Sequence, residues 1–228
     1  MTEREIRKYI DRLNNKKGQE SIFTRPISET VDVGKVWREQ PKQKDSVSSF
    51  SSSRFFFIKN TLGVYVGAVL DMDYDLHWYV LPKQRKKGIL TKSLKETILP
   101  YLFYERKEQR ITIENGRGVR EKNYNNSLKV ALNLGFKPIN KEQTKFILKK
   151  SEFDWSVENL NEEDNLIEED RIKILKKRIN YASKILLKIS DELLMSYAND
   201  KELLEVSRKV KDYTWKIEDL MWEYRKNE

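Results

Sequence analysis

The chain has no cysteine and a single histidine in 228 residues. Without cysteine there is no disulfide, no thiolate metal site and no cysteine nucleophile. One histidine argues against a histidine-based metal site, and no metal ligands are assigned. A run of about 18 apolar residues is also missing, so no membrane span is expected. The opening Met1-Thr-Glu-Arg-Glu5 lacks an apolar signal core, which argues against secretion and for a cytoplasmic protein.

What the chain has in quantity is charge. Charged residues make up 36% and hydrophobic residues 38%, enough to fill a core and stay well hydrated. The length suits one full domain plus a smaller appendage. The net charge of +9 is uneven: residues 1–150 carry 31 Lys and Arg against 17 Asp and Glu, and residues 151–228 carry 14 against 19. A polyanionic ligand, or a nucleic acid, would bind the first part. General solubility is the plainer account of charges outside the Lys83–Lys95 cluster.

Ile6, Tyr9, Ile10 and Leu13 fall at helical spacing, so a short amphipathic helix is expected over 3–13. Ser21–Thr24 reads as a first strand before Pro26, and residues 27–45 are ambiguous, with short helices the expectation. Ser46–Ser53 is a small-residue loop. Phe55–Lys59, Val64–Leu70 and Leu76–Leu81 read as successive strands, the first two joined by the turn Asn60-Thr-Leu-Gly63. Leu90, Leu94, Ile98 and Leu102 share one helical face, with Pro100 expected to kink or end that helix. A strand follows at Gln109–Glu114, a short helix at Leu128–Leu134 capped by Gly135, and two last strands at Phe136–Ile139 and Lys145–Lys149.

Beyond Ser151 the pattern changes. Ile172, Leu175, Ile179, Ala182, Leu186, Ile189 and Leu193 alternate steps of three and four. So do Leu203, Val206, Val210, Tyr213, Ile217, Leu220 and Tyr224. The spacing predicts an antiparallel helical hairpin with a coiled-coil seam over 165–228, reversing at Ser196–Asp200, after an acidic linker at 151–164. Trp215 and Trp222 lie one heptad apart and off the seam. An exposed tryptophan stripe is costly, so they are expected to pack on the first domain, on a second copy of the chain, or on another protein.

The densest chemistry lies in Trp78-Tyr-Val-Leu-Pro-Lys-Gln-Arg-Lys-Lys-Gly-Ile-Leu-Thr91. A buried strand stops at a proline, a basic turn and one glycine follow, and a helix begins. A helix start offers unpaired N–H groups and the positive end of its dipole. Glycine lets the backbone approach a phosphate closely. Lys83, Arg85, Lys86 and Lys87 surround the turn. A diphosphate-bearing ligand is the natural guest.

These strands, the basic turn and its helix resemble the GNAT superfamily of acetyl-CoA-dependent N-acetyltransferases. The family's pyrophosphate loop, Arg/Gln-x-x-Gly-x-Gly/Ala, is matched by Arg85-Lys-Lys-Gly88-Ile-Leu90, with Leu90 in place of the last small residue. Tyr79-Val-Leu-Pro82 looks like the end of the family's fourth strand. Asn126-Ser127-Leu-Lys-Val130 through Gly135-Phe136 is similar to its late helix, most of all in the branch containing the ribosomal-protein N-terminal acetyltransferases. The resemblance spans about Phe55–Lys149, is weaker over Ser21–Ser53, and leaves out the hairpin. It implies an α+β fold for residues 1–150, a mixed and mostly antiparallel sheet flanked by helices, with acetyl-CoA in a V between the fourth and fifth strands. Pantetheine would bond the backbone of Tyr79, Val80 and Leu81. The pyrophosphate would sit on Arg85, Lys86, Lys87, Gly88, Ile89, Leu90 and Thr91, with Lys83 and Lys92 within reach. Asn126 and Ser127, with Asn123 and Asn125, would hold the cofactor from the late helix.

Acetyl transfer to an amine needs a base or water chain for the amine proton and a donor for the thioester oxygen. The donor would be a strand amide near Leu81. The family's usual strand glutamate falls on Asp75, and His77, which titrates near neutral pH, lies two residues along the same face. Each has a structural alternative: a turn carboxylate for Asp75, a bonded strand residue for His77. Where many members have an asparagine and a proton-donating tyrosine on the late helix, this chain has Tyr124 and Ala131. Tyr124 is a candidate substitute donor, with packing as its alternative.

The resemblance thus implies an N-acetyltransferase acting on a primary amine: a protein N-terminus, a lysine, a small amine or an aminoacylated RNA. A GNAT-fold binding protein without turnover, recruiting a partner or a second copy through residues 165–228, is the second reading. A nucleic-acid-binding protein is the third and least favoured, because no aromatic-and-basic RNA motif stands out.

Overall fold

The structure, a computed structural model, describes residues 2–18, 20–43, 45, 52–114, 121–161, 167–197 and 202–226. The chain divides into two compact units, Met1–Asn165 and Leu166–Glu228. The first is α+β. The second is a helical hairpin.

The first unit opens with α1 (Glu3–Asn14). Thr2 caps it, its hydroxyl accepting the N–H of Glu5 while the Glu5 carboxylate accepts the N–H of Thr2, a reciprocal pair that satisfies two orphan donors. Five strands follow: β1 (Ile22–Ser28), β2 (Val31–Val36), β3 (Ser53–Lys59), β4 (Tyr65–Asp71) and β5 (Leu76–Val80). They form one antiparallel sheet in chain order. The strand β2 replaces the short helices expected after residue 27. Pro26 did not end β1, because β1 is the edge of the sheet and an edge tolerates a missing N–H. The Ser46–Ser53 loop lies outside the described residues except for Ser52 and Ser53, and Ser53 opens β3.

Both faces of this sheet are covered, which is why Phe55-Phe-Phe57 reads as an unbroken apolar run. Phe55 and Phe57 stack at 5.5 Å on the α1 face, packing with Ile6, Tyr9 and Ile10. Phe56 points to the other face and meets Tyr101 edge-on.

On that other face lies one continuous helical rod: α2 (Ile89–Ser93), a π turn (Leu94–Ile98) and α3 (Leu99–Glu105). Pro100 does not end it. A proline inside a helix strands the carbonyl four residues back. Here that carbonyl, on Glu96, accepts the N–H of Asn159 at 2.7 Å, and the π turn absorbs the local mismatch.

The chain continues through β6 (Glu108–Thr112), α4 (Glu121–Asn133), β7 (Lys137–Pro138) and β8 (Lys145–Lys149). These strands form a second antiparallel sheet in the order β6-β8-β7. One mixed sheet was expected. Among the described residues there are instead two separate antiparallel sheets, with no ladder between β5 and β6. Gly135 closes α4 at φ 86, and the N–H of Phe136 returns to the carbonyl of Ala131.

The stretch expected to be a free linker is packed on the first unit as far as Asn161. Phe153 and Trp155 pack tilted and edge-on around Phe103 and Tyr104, and the N–H of Asn161 donates to the carbonyl of Ile27. Residues 162–164 lie outside the described residues.

The second unit pairs α5 (Glu169–Tyr197) with α6 (Glu202–Lys226); most of the expected reversal lies outside the described residues. Its seam departs from the heptad reading at alternate positions. Ser183, Ser190, Ser207 and Thr214 are buried in it, whereas Ala182, Ile189, Val206, Tyr213 and Leu220, expected there, are exposed. Ser183 and Ser207 bond each other's backbone carbonyls at 2.9 Å. Small hydroxyl residues let the two backbones come close and turn the larger side chains outward. Trp215 and Trp222 are each 66% exposed, with the Lys176 ammonium 5.4 Å over the Trp215 ring. Among the described residues no helix is long and apolar enough to cross a membrane.

Candidate functional site

A cleft of about 810 Å³ opens where β5 and β6 part. Its floor is fixed by Asp75. The Asp75 Oδ1 accepts the N–H of Leu76 and, across the gap, the N–H of Thr112, both at 2.8 Å. That carboxylate is the pin at which the two sheets meet. Beyond it Trp78, Tyr79 and Val80 line one wall, and Thr112, Ile113 and Glu114 the other.

The backbone of β5 faces two ways. The N–H of Leu81 donates to the carbonyl of Val66 at 2.9 Å, and with the antiparallel register this turns Tyr79 and His77 to β4 as well. Amides alternate along a strand, so the N–H groups of Trp78 and Val80 point to the cleft. Leu81, expected to bind the cofactor and supply the oxygen donor, is therefore committed to the sheet and does not line the cleft. Val80 carries the available amide.

The cradle has the expected order. Pro82–Gln84 makes one 3-10 turn and Gly88 precedes α2 with φ 75. A Cβ on Gly88 would meet no atom within 4 Å, so glycine is required there by backbone conformation, and the space before it is open. Lys86 also takes positive φ, 63°. The N–H of Lys92 closes on the carbonyl of Gly88, leaving the N–H groups of Ile89, Leu90 and Thr91 as the free first turn of the rod. Arg85 folds back: its Nε donates to the carbonyl of Val80 at 2.9 Å and its guanidinium lies over the Tyr79 ring. Lys87 donates to Gln84 at 2.9 Å. Lys86 and Lys87 line the cleft, whereas Lys83 and Lys92 do not; Lys92 stands 3.9 Å from Glu96.

From α4, Asn123, Tyr124, Asn126 and Ser127 reach the cleft. The Tyr124 hydroxyl donates to the carbonyl of Gln143 at 3.1 Å, tying α4 to the turn before β8. Ala131 is fully buried in the core, away from the cleft.

His77 is half-buried in the cleft wall. Its Nε2 is shielded from solvent and has no hydrogen-bond partner among the described residues. Burial pushes its pKa below the ordinary 6.5, while Glu3, Asp75 and Glu114 pull the other way. Glu3 and Met72 also line the cleft, and nothing in their sequence neighbourhood points to it. Glu3 comes from the first turn of α1, more than seventy positions from the cradle, and only the packing of α1 on the sheet brings it in.

No protein-family model, characterised protein or solved structure matches the chain.

Proposed function

We propose that the first unit is a GNAT-type N-acetyltransferase that takes acetyl-CoA and acetylates a primary amine. One observation carries this reading: the free edge of β5 and the free first-turn amides after Gly88 open into the same cleft. That arrangement suits a ligand with an anionic end and an extended, amide-bearing arm. The amides of Ile89, Leu90 and Thr91, with Lys86 and Lys87, would hold a diphosphate. The amides of Trp78 and Val80 would meet the arm, and Asn126 and Ser127 would flank it. Acetyl-CoA supplies the acyl group already activated as a thioester. The Val80 N–H is a fixed donor for the acyl oxygen. His77, kept neutral by its burial, is the group able to receive the amine's proton, directly or through water. Asp75 holds the cleft open at its base, with one oxygen already accepting two amides.

A second reading is favoured by Tyr124 and Ala131. The tyrosine hydroxyl is engaged and the alanine is buried, so neither of these two positions stands ready to protonate a departing thiolate. A protein that binds CoA without turnover fits that arrangement.

Calorimetry with acetyl-CoA at low salt tests both, with micromolar binding expected. Gly88→Asp should weaken it at least about tenfold, because a carboxylate enters an anion cradle. No binding at low salt would sink both readings. A thiol-release assay over a panel of amines then separates them: release matching the blank with every amine would leave the binder.

A further inference from the structure

The hairpin has little core of its own. Among the described residues of the second unit, Ile172 is the only buried apolar side chain. The other buried side chains there are Ser183, Ser190, Ser207 and Thr214. Hydroxyls and half-buried leucines leave the unit short of the apolar burial that a piece this small needs in order to fold.

What the seam leaves out lies together on one side of the hairpin. Ala182 and Val206 each stand one position before the paired Ser183 and Ser207, so each is turned about 100° from the seam in the same sense. In an antiparallel pair that rotation carries both to the same side. Ile189, Tyr213 and Leu220 follow at steps of seven, and Ile185 extends the edge on α5. All six are exposed, Tyr213 and Leu220 at 54%. Trp215 stands one position after the buried Thr214 and is turned the other way, so the tryptophans are not part of this face.

The face is large enough for a stable pairing. With α6 at 25 residues, it is about 37 Å long, and two helices side by side are about 19 Å wide, which gives about 700 Å². A standard interface takes about 800 Å² from each partner. Among the described residues of the first unit, the large exposed apolar side chains fall one or two to an element or turn, from Phe23 on β1 to Leu132 on α4. They make no second stripe of heptad spacing. A second copy of the chain brings a face of the same length and chemistry, the self-matching condition for a twofold pairing.

We infer that two copies of the chain pair hairpin to hairpin through this face, forming a four-helix bundle. Charge sets the arrangement. Between Arg171 and Ser190, α5 has seven Lys and Arg and no Asp or Glu, whereas α6 carries six of each sign. Setting α5 on α5 would oppose cations, so each α5 lies over the α6 of the other copy. The pairing does not depend on the acetyl-transfer reading of the cleft.

Light scattering on the full chain should give twice 27.3 kDa at about 50 µM, falling toward a single chain on dilution. Tyr213→Glu with Leu220→Glu puts carboxylates on the face and should weaken dimerisation at least about tenfold. Trp215→Ser, on the other side, should leave it unchanged. Because the chain has no cysteine, single cysteines report the arrangement. Ile185→Cys and Val206→Cys chains, mixed in equal amounts and oxidised, should form the 185–206 disulfide several-fold above either like pair, read by mass spectrometry of the linked peptides. A single-chain mass at the higher concentration overturns the inference, whatever covers the face. So does a dimer that the double variant leaves intact, and a predominant 185–185 link overturns the placing of α5 over α6. If the double variant does not fold, the cysteine chains decide: no interchain disulfide at either position removes the face.

Discussion

The N–H of Asn159 donates to the carbonyl of Glu96 at 2.7 Å, the bond that Pro100 cannot make. The same segment brings Phe153, 8% exposed, against Phe103 at 5.3 Å between ring centres. Residues 150–161 therefore pack as part of the first unit, with Phe153 in its core. Phe153→Ala should destabilise that unit by about 3–5 kcal/mol, read as a fall in its unfolding midpoint in urea. A change under about 1 kcal/mol would mean the segment is only draped on the surface.

The Asp71 side chain is buried, 2% exposed, with Arg54 at 2.7 Å and Arg106 at 2.6 Å. Arg54 also reaches Glu105 at 2.6 Å, so β3, β4, α3 and the entry to β6 share one charge network. Asp71→Asn leaves two half-buried guanidinium groups short of a partner. It should cost about 3–5 kcal/mol and leave ligand affinity of the surviving folded protein unaltered. Thermal melts followed by calorimetry on the folded fraction would check both halves.

Much of this architecture was legible in the sequence, for identifiable reasons. The strand at Lys145–Lys149, the helix of α1 and the triple phenylalanine follow from apolar spacing, and the cradle follows from four cations set between a proline and a glycine. The strand β2 was hidden because its Asp32 is buried against Lys59, at 2.7 Å, and the Tyr65 hydroxyl; a charge that pairs across the sheet looks like a loop residue in one dimension. The hairpin seam was misplaced by one step at Ser183 and Ser207 because periodicity follows large residues, whereas close helix packing selects small ones. In the cleft, residue type alone could not reveal that Asp75 is a pin or that Leu81 faces β4. Those assignments depend on register.

The burial of His77 has a signed consequence. Its pKa lies below the usual 6.5, so the unfolded chain takes up its proton first as pH falls. The stabilising contribution is complete above about pH 6.5 and is lost as pH drops toward the folded pKa. His77→Gln should flatten that part of the melting-temperature profile between wild type and variant. It should also lower the acetylation rate at neutral pH, and the wild-type rate should fall only below pH 6.5. A rate unchanged in His77→Gln would remove His77 as the base.

Tyr124 offers a separation of roles. Tyr124→Phe loses the 3.1 Å bond to Gln143 and should cost about 1 kcal/mol with kcat unaltered. A tenfold drop in kcat at unchanged stability would instead make the hydroxyl a proton donor.

The bond from the Asn161 N–H to the Ile27 carbonyl joins the last packed segment of the first unit to its first edge strand. A ribosome delivers Ile27 early and Asn161 late, after every strand of both sheets. A nascent or prematurely ended chain that stops after β8 would thus carry all eight strands, an unsealed edge at β1 and a bare patch at Phe103. Such an open edge invites pairing with other chains, so incomplete translation products should be prone to aggregate although no strand is missing from them.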